Sequence, residues 1–139
     1  MESQLTASLE GGFFMPITAP TASFALVAEG SNPQQGPSTA RLWRWNGATA
    51  KFSLDWSIAG TGSVSDIVVD AFSSQHAVAA AMFDFKRIVS QQWVNSKWTP
   101  VDPLQCASNV LCAVSDLVSL PDGSALMSLV GSGGLWRLV

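Results

Sequence analysis

The sequence has no tyrosine, a single histidine and few charged residues. Lys, Arg, Asp and Glu make up 12% of its 139 residues, about half of the roughly 25% that is usual. The seven Lys and Arg residues are scattered, and the formal net charge is −3. Nucleic-acid binding needs a clustered basic patch, so no nucleic-acid partner is expected. So few charges predict either that other protein covers much of the surface, or that the surface is rich in uncharged polar residues.

Long apolar segments are also missing. No run approaches the roughly 18 residues of a membrane-spanning helix, and residues 1–4 lack the basic and apolar regions that open a signal peptide. We expect a chain without a membrane span, in the cytoplasm or in an assembled particle.

Catalytic chemistry has little support in the sequence. His76 has no Gly-x-Ser-x-Gly sequence to accompany it, and none of the ten Asp and Glu residues has a local partner for acid–base work. We therefore predict that the protein is not an enzyme, with no catalytic residue, no cofactor and no metal site.

The two cysteines, Cys106 and Cys112, lie close together in the sequence. No histidine lies at metal-ligand spacing from them, which argues against zinc. The favoured interpretation is a pair of small buried thiols, and a disulfide formed in an oxidising compartment is the alternative.

The remaining sequence consists of short segments rich in Val, Ile, Phe, Trp and Ala, separated by Gly, Pro, Asn and Asp. No segment keeps the 3.6-residue apolar periodicity of a helix for long, so the pattern predicts an all-β fold. The segment 77–83 is continuously apolar, which is typical of a strand buried on both faces.

One pentapeptide occurs twice. Val-Ser-Asp-Ile-Val at 64–68 returns as Val-Ser-Asp-Leu-Val at 114–118, and each copy precedes a turn and a second apolar segment. Self-similarity at a period of about 20–50 residues indicates a repeat architecture. The period divides one all-β domain, 1–139, into units at about 11–60, 61–105 and 106–139, with 1–10 as a closing strand.

Each unit is predicted to hold up to four strands. The predicted strands are 13–18, 23–28, 40–45 and 51–58; then 63–71, 77–83, 87–94 and 97–101; then 111–120, 125–130 and 135–139. The third unit lacks a fourth strand, and residues 4–9 form a spare one that would complete it.

Four strands in about 50 residues resemble one blade of a β-propeller, closest in length to the kelch class. The repeated pentapeptides carry the resemblance, together with Arg-Leu-Trp-Arg-Trp-Asn-Gly at 41–47 and weaker matches at 92–96 and 135–137. Closed propellers have roughly four to eight blades, so the resemblance implies that about three blades per chain are completed by oligomerisation. A homodimer of six blades is favoured. An open sheet docked on another protein in a larger assembly and a β-sandwich are the alternatives.

Five residues are candidates for a ligand site. Asp66 and Asp116 occupy the same position of the two pentapeptides, where an aspartate that accepts backbone N–H groups is the favoured interpretation. The alternative is a polar ring at the mouth of a central channel. Trp45, Trp93 and Trp98 lie closest to predicted turns and are the candidates for stacking on a sugar, although packing between sheets explains most tryptophans.

Three classes of function follow. The favoured one is a non-catalytic structural or protein-interaction module that assembles with itself or with a larger complex. A Trp-mediated, lectin-like module that binds carbohydrate is the alternative. A propeller-type hydrolase is the remote alternative, because fold analogy is a weak argument for function.

Overall fold

The computed structural model describes residues 12–14, 16–60, 62–106, 111–131 and 134–139. This part of the chain contains β-strands and no helix, so the all-β prediction is confirmed. The strands are β1 (Gly12–Phe14), β2 (Ile17–Thr21), β3 (Phe24–Ser31), β4 (Ser38–Asn46), β5 (Lys51–Gly60), β6 (Val64–Ala71), β7 (His76–Phe83), β8 (Arg87–Val94), β9 (Lys97–Pro100), β10 (Leu104–Gln105), β11 (Ala113–Ser119), β12 (Ala125–Val130) and β13 (Leu135–Leu138).

The strands form three antiparallel sheets that follow the chain order. The first sheet has the order β1-β3-β4-β5, with β2 also paired to β3. The middle sheet has the order β6-β7-β8-β10, with β9 also paired to β8, and the third sheet has the order β11-β12-β13. None of these sheets closes into a barrel. Within the described ranges no helix is long and apolar enough to cross a membrane.

Strand positions agree closely with the sequence pattern in the middle of the chain. Asn95 and Ser96 form the predicted two-residue turn between β8 and β9, and both have positive φ, 54° and 59°, as a twist-matched hairpin turn requires. The first unit differs, because its first strand is divided into β1 and β2 on either side of Pro16, which has no N–H to donate. The predicted closing strand, 4–9, lies outside the described residues.

The middle sheet lies between the other two, and β7 is buried on both faces. Ala77, Ala79 and Ala81 belong to the apolar cluster shared with the first sheet. Val78, Ala80 and Met82 belong to the cluster shared with the third sheet. Alternate side chains of a strand point to opposite faces, so the continuous apolar segment serves two cores, as predicted.

The two pentapeptides adopt the same local structure. In β6 the pairing shifts between Val64 and Asp66, and in β11 it shifts between Val114 and Asp116. The serine at the second position of each pentapeptide is the extra residue of a β-bulge, a local kink that re-aims the following side chain. The sequence repeat is therefore also a structural repeat.

The favoured prediction of free thiols is wrong, because Cys106 and Cys112 form a disulfide, with Cα atoms 6.5 Å apart. Both cysteines are buried, as predicted. The backbone N–H of Cys106 donates to the carbonyl of Lys86, and that of Cys112 donates to the carbonyl of Phe85, each at 2.8 Å. Since Phe85 and Lys86 are adjacent in the β7–β8 turn, these bonds bring the cysteines within the range a disulfide spans.

Candidate interaction surface

Polar side chains of the first sheet bind the first strand of the middle sheet. The amide of Asn32 accepts the N–H of Val64 and donates to its carbonyl, with both distances 2.7 Å. At the other end of β6, the hydroxyl of Thr18 accepts the N–H of Ala71 at 3.2 Å. Two acceptors on one sheet therefore hold both ends of the next sheet's first strand.

The contact between the middle and third sheets follows the same plan. The carboxylate of Asp70 accepts the N–H of Ser119 at 2.6 Å, and the carboxylate of Asp66 interacts with the backbone N–H of Val114. Val114 is the repeat equivalent of Val64. Again the preceding sheet supplies the acceptors, and the first strand of the following sheet supplies the N–H groups.

Asp66 thus lies between two sheets. Its carboxylate also accepts the N–H of Ile67 at 2.9 Å. Burial raises the pKa of Asp66 above its ordinary value, although the N–H groups of Ile67 and Val114 act in the opposite direction. Desolvation therefore outweighs the two backbone donors at this position.

Asp116 has the same place in the third sheet but different surroundings. Its carboxylate accepts the N–H of Leu117 at 2.8 Å, which matches the bond from Ile67 to Asp66. Asp116 is exposed, and within the described ranges no further sheet packs against its face. The structure does not bring Asp66 and Asp116 into one site, because each faces the sheet position that follows its own.

The face that carries Asp116 is largely apolar, and no described part of the chain covers it. Val118, Val130 and Leu135 lie on it and are 44%, 59% and 71% exposed. The strand register places Leu126 and Ser128 between them and Arg137 at the edge of the face. The corresponding face of the middle sheet is buried by the third sheet. Clustered exposed apolar side chains mark interaction surfaces, and we call this surface the open face of the third sheet.

Trp93 and Trp98 lie between the first and middle sheets. The Trp93 indole N–H donates to the carbonyl of Ser74 at 3.0 Å, and its ring lies 5.4 Å from that of Trp98. The guanidinium of Arg44 sits 5.0 Å from the centre of the Trp93 ring. These contacts engage both tryptophans in packing between sheets.

Asp55 holds that aromatic cluster together. One carboxylate oxygen accepts both the Trp98 indole N–H at 2.8 Å and the Arg44 Nε–H at 2.9 Å. Sequence reasoning missed Asp55, because its strand, β5, contains a bulge opposite Leu42 and Trp43 that alters the expected alternation. It also missed Asp70. Asp66 and Asp70 lie four residues apart in one strand and therefore share a face, so this spacing was a signal that could have identified Asp70.

Trp45 lies on the face of the first sheet that points away from the middle sheet. It is half-buried, and its ring centre is 5.0 Å from that of Phe52. On the same face Glu29 is buried and accepts the Trp43 indole N–H at 3.1 Å, while Arg41 lies 3.8 Å from its other oxygen. This face therefore combines aromatic side chains with one ion pair, of which only the carboxylate is buried.

The edge strand β13 lies beside two shallow cavities. One, of about 280 Å³, lies against the segment from Pro100 to Leu104. The other, of about 210 Å³, lies next to Gln92 and the exposed pair of Arg137 and Asp122, whose charged atoms are 2.7 Å apart. Within the described ranges β13 has no second neighbour, whereas the corresponding strands of the other sheets do. The third sheet therefore has both an open face and an open edge.

Comparison with known proteins does not place the chain in a family. No protein-family model matches the chain, and no curated protein is similar to it in sequence. The fold defines a class, an all-β repeat protein of stacked antiparallel sheets. Its most distinctive surface is the open face of the third sheet.

Proposed function

We propose that this chain is a non-catalytic structural or protein-interaction module built from β-propeller blades, and that it assembles with itself. The observation that carries the proposal is the open face of the third sheet, which exposes Val118, Val130 and Leu135. The equivalent face of the middle sheet is covered by another sheet. Removing such apolar surface from water is favourable, so a third sheet left alone would lose this stabilisation.

The stacking of the sheets supports a ring. Three up-and-down sheets follow one another along the chain, and both contacts between them use the same polar plan. Two chains would supply six blades, within the roughly four to eight of closed propellers. A ring would cover the open face of each third sheet and leave fewer unpaired strand edges, which otherwise favour aggregation.

Light scattering on a sizing column tests the proposal. We expect a mass near twice the 14.7 kDa of one chain. At high dilution the dimer should dissociate, and the mass should fall toward that of one chain. A folded species that stays at 14.7 kDa at all concentrations would contradict self-assembly. It would leave the alternative in which another protein covers this surface.

The same experiment on a chain lacking residues 1–10 tests the closing strand that the sequence predicts. If residues 4–9 pair with the β13 edge of the other chain, the dimer of the truncated chain should be weaker. It should dissociate at a higher protein concentration and melt at a lower temperature than the full-length dimer. Unchanged dissociation and melting would show that the assembly does not use this segment.

A carbohydrate-binding function is the second candidate, and Trp45 is the observation that favours it. It is half-buried beside Phe52. Its indole N–H, unlike those of Trp93 and Trp98, has no hydrogen-bond partner within the described ranges. A glycan array followed by tryptophan-fluorescence titration tests this candidate. Binding that is lost in Trp45→Ala and kept in Trp136→Ala, a control with a partly exposed indole elsewhere, would support it.

A further inference from the structure

We infer that the open face of the third sheet binds the first sheet of a second copy of this chain, and that Asp116 there accepts a backbone N–H from the other copy's β1. This inference rests on the proposed self-assembly and names its surface. The occupant follows from the two contacts that the chain already contains, because both join a sheet to the first strand of the next.

The strand register identifies the donor. Val64 precedes the bulge in β6 and binds Asn32 of the preceding sheet. Val114 precedes the equivalent bulge in β11, and its N–H interacts with Asp66. In the first sheet the pairing shifts between Gly12 and Phe14, so Gly12 occupies the same register position. Continuing the series, the N–H of Gly12 in a second copy is the donor for Asp116.

The side chains of the two faces agree with this pairing. The open face presents Val118, Val130 and Leu135 beside the Asp116 carboxylate, and the exposed Arg137, which is paired with Asp122, lies at its edge. The outer face of the first sheet exposes Ile17 and Leu54 and carries Arg41, whose side chain is about one-third exposed. Apolar surface thus meets apolar surface. Arg41 is already paired with Glu29, whereas two identical open faces would bring two Asp116 carboxylates together, which favours the first sheet as the occupant.

The test uses substitutions on the open face and a matched control. Val118→Lys places a charge on the open face, whereas Phe72→Lys places the same charge at an apolar position of comparable exposure, 53% against 44%, in the β6–β7 turn. Sedimentation velocity should show that Val118→Lys remains monomeric at concentrations where the wild-type chain and Phe72→Lys are dimeric. Circular dichroism establishes that each variant is folded.

Asp116→Ala tests the predicted hydrogen bond itself. A bond to a charged acceptor is lost at both contacts of the ring, so the dimer dissociation constant should rise by roughly tenfold or more. Asp116→Asn keeps an acceptor and should have a smaller effect. Hydrogen exchange should also be slower in β1 of the wild-type dimer than in the Val118→Lys monomer.

The outcomes separate the inference from the proposed function. A wild-type dimer that Val118→Lys and Asp116→Ala leave unchanged would overturn the inference while self-assembly stands. A wild-type chain that is monomeric throughout would overturn both. A different protein bound at this face, without self-association, would overturn the inference and leave an interaction module.

Discussion

Replacing Asp55 with Ala should remove the polar centre of the contact between the first and middle sheets. The Asp55 side chain is only 8% exposed, and one of its oxygens accepts N–H groups from both Arg44 and Trp98. Without it the Trp98 indole N–H loses its acceptor in a buried site. Arg44 keeps some hydration, because its side chain is 32% exposed.

The magnitude follows from these two donors. Losing a buried hydrogen bond to a charged group costs roughly 1.5–3 kcal/mol, and the part that involves Arg44 is reduced by solvent. We expect a loss of about 2–4 kcal/mol in the free energy of unfolding. For a chain of 139 residues this lowers the melting temperature by roughly 7–14 °C.

Urea unfolding at one fixed protein concentration is the appropriate assay, since self-assembly would make stability depend on concentration. Asp102→Ala is the matched control, because Asp102 is exposed and has no bonded partner within the described ranges. Trp98→Phe keeps the ring and removes the N–H, so a double-mutant cycle with Asp55→Ala isolates their coupling. If Asp55→Ala lowers the unfolding midpoint no more than Asp102→Ala does, the reasoning about this contact is wrong.

Three further predictions concern other parts of the fold. Thiol titration should find no free thiol before reduction and two after, and reducing the bond between Cys106 and Cys112 should cost about 2 kcal/mol of stability, measured by urea unfolding. Because the folded-state pKa of Asp66 is raised above 3.8, its proton is held more tightly in the folded chain, and stability should fall as pH rises through the window from about 3.8 to that raised pKa. Asp66→Asn should remove this pH dependence and match or exceed wild-type stability at pH about 7. Asp66→Ala should instead lose about 1–3 kcal/mol in the free energy of unfolding. Equal urea midpoints for the two variants would contradict this prediction. Gly131→Ala should destabilise the folded chain more than Gly36→Ala does, by at least about 2 kcal/mol. Both glycines have φ +98°, but only at Gly131 would the new Cβ overlap a backbone carbonyl. Equal melting temperatures for the two variants would refute this prediction.

The local features of the fold could be predicted from the sequence. Strand alternation and turn residues act over a few positions, so the Asn95–Ser96 hairpin and the strands 87–94 and 125–130 lie where the pattern predicts them. The repeated pentapeptides likewise adopt one structure, because each contains the same bulge. The apolar segment 77–83 could be assigned to a doubly buried strand because neither of its faces carries polar side chains.

Only the tertiary structure decided which groups meet. The disulfide forms because two adjacent carbonyls in the β7–β8 turn hold Cys106 and Cys112 close together, and nothing in the spacing of the cysteines shows that turn. Asp66 and Asp116 lie in nearly identical local sequences, yet one is covered by the third sheet and the other is exposed. That difference depends on how many sheets follow each residue in the stack. A local pattern determines a strand, whereas the packing of distant strands determines which of its faces is available to bind a partner.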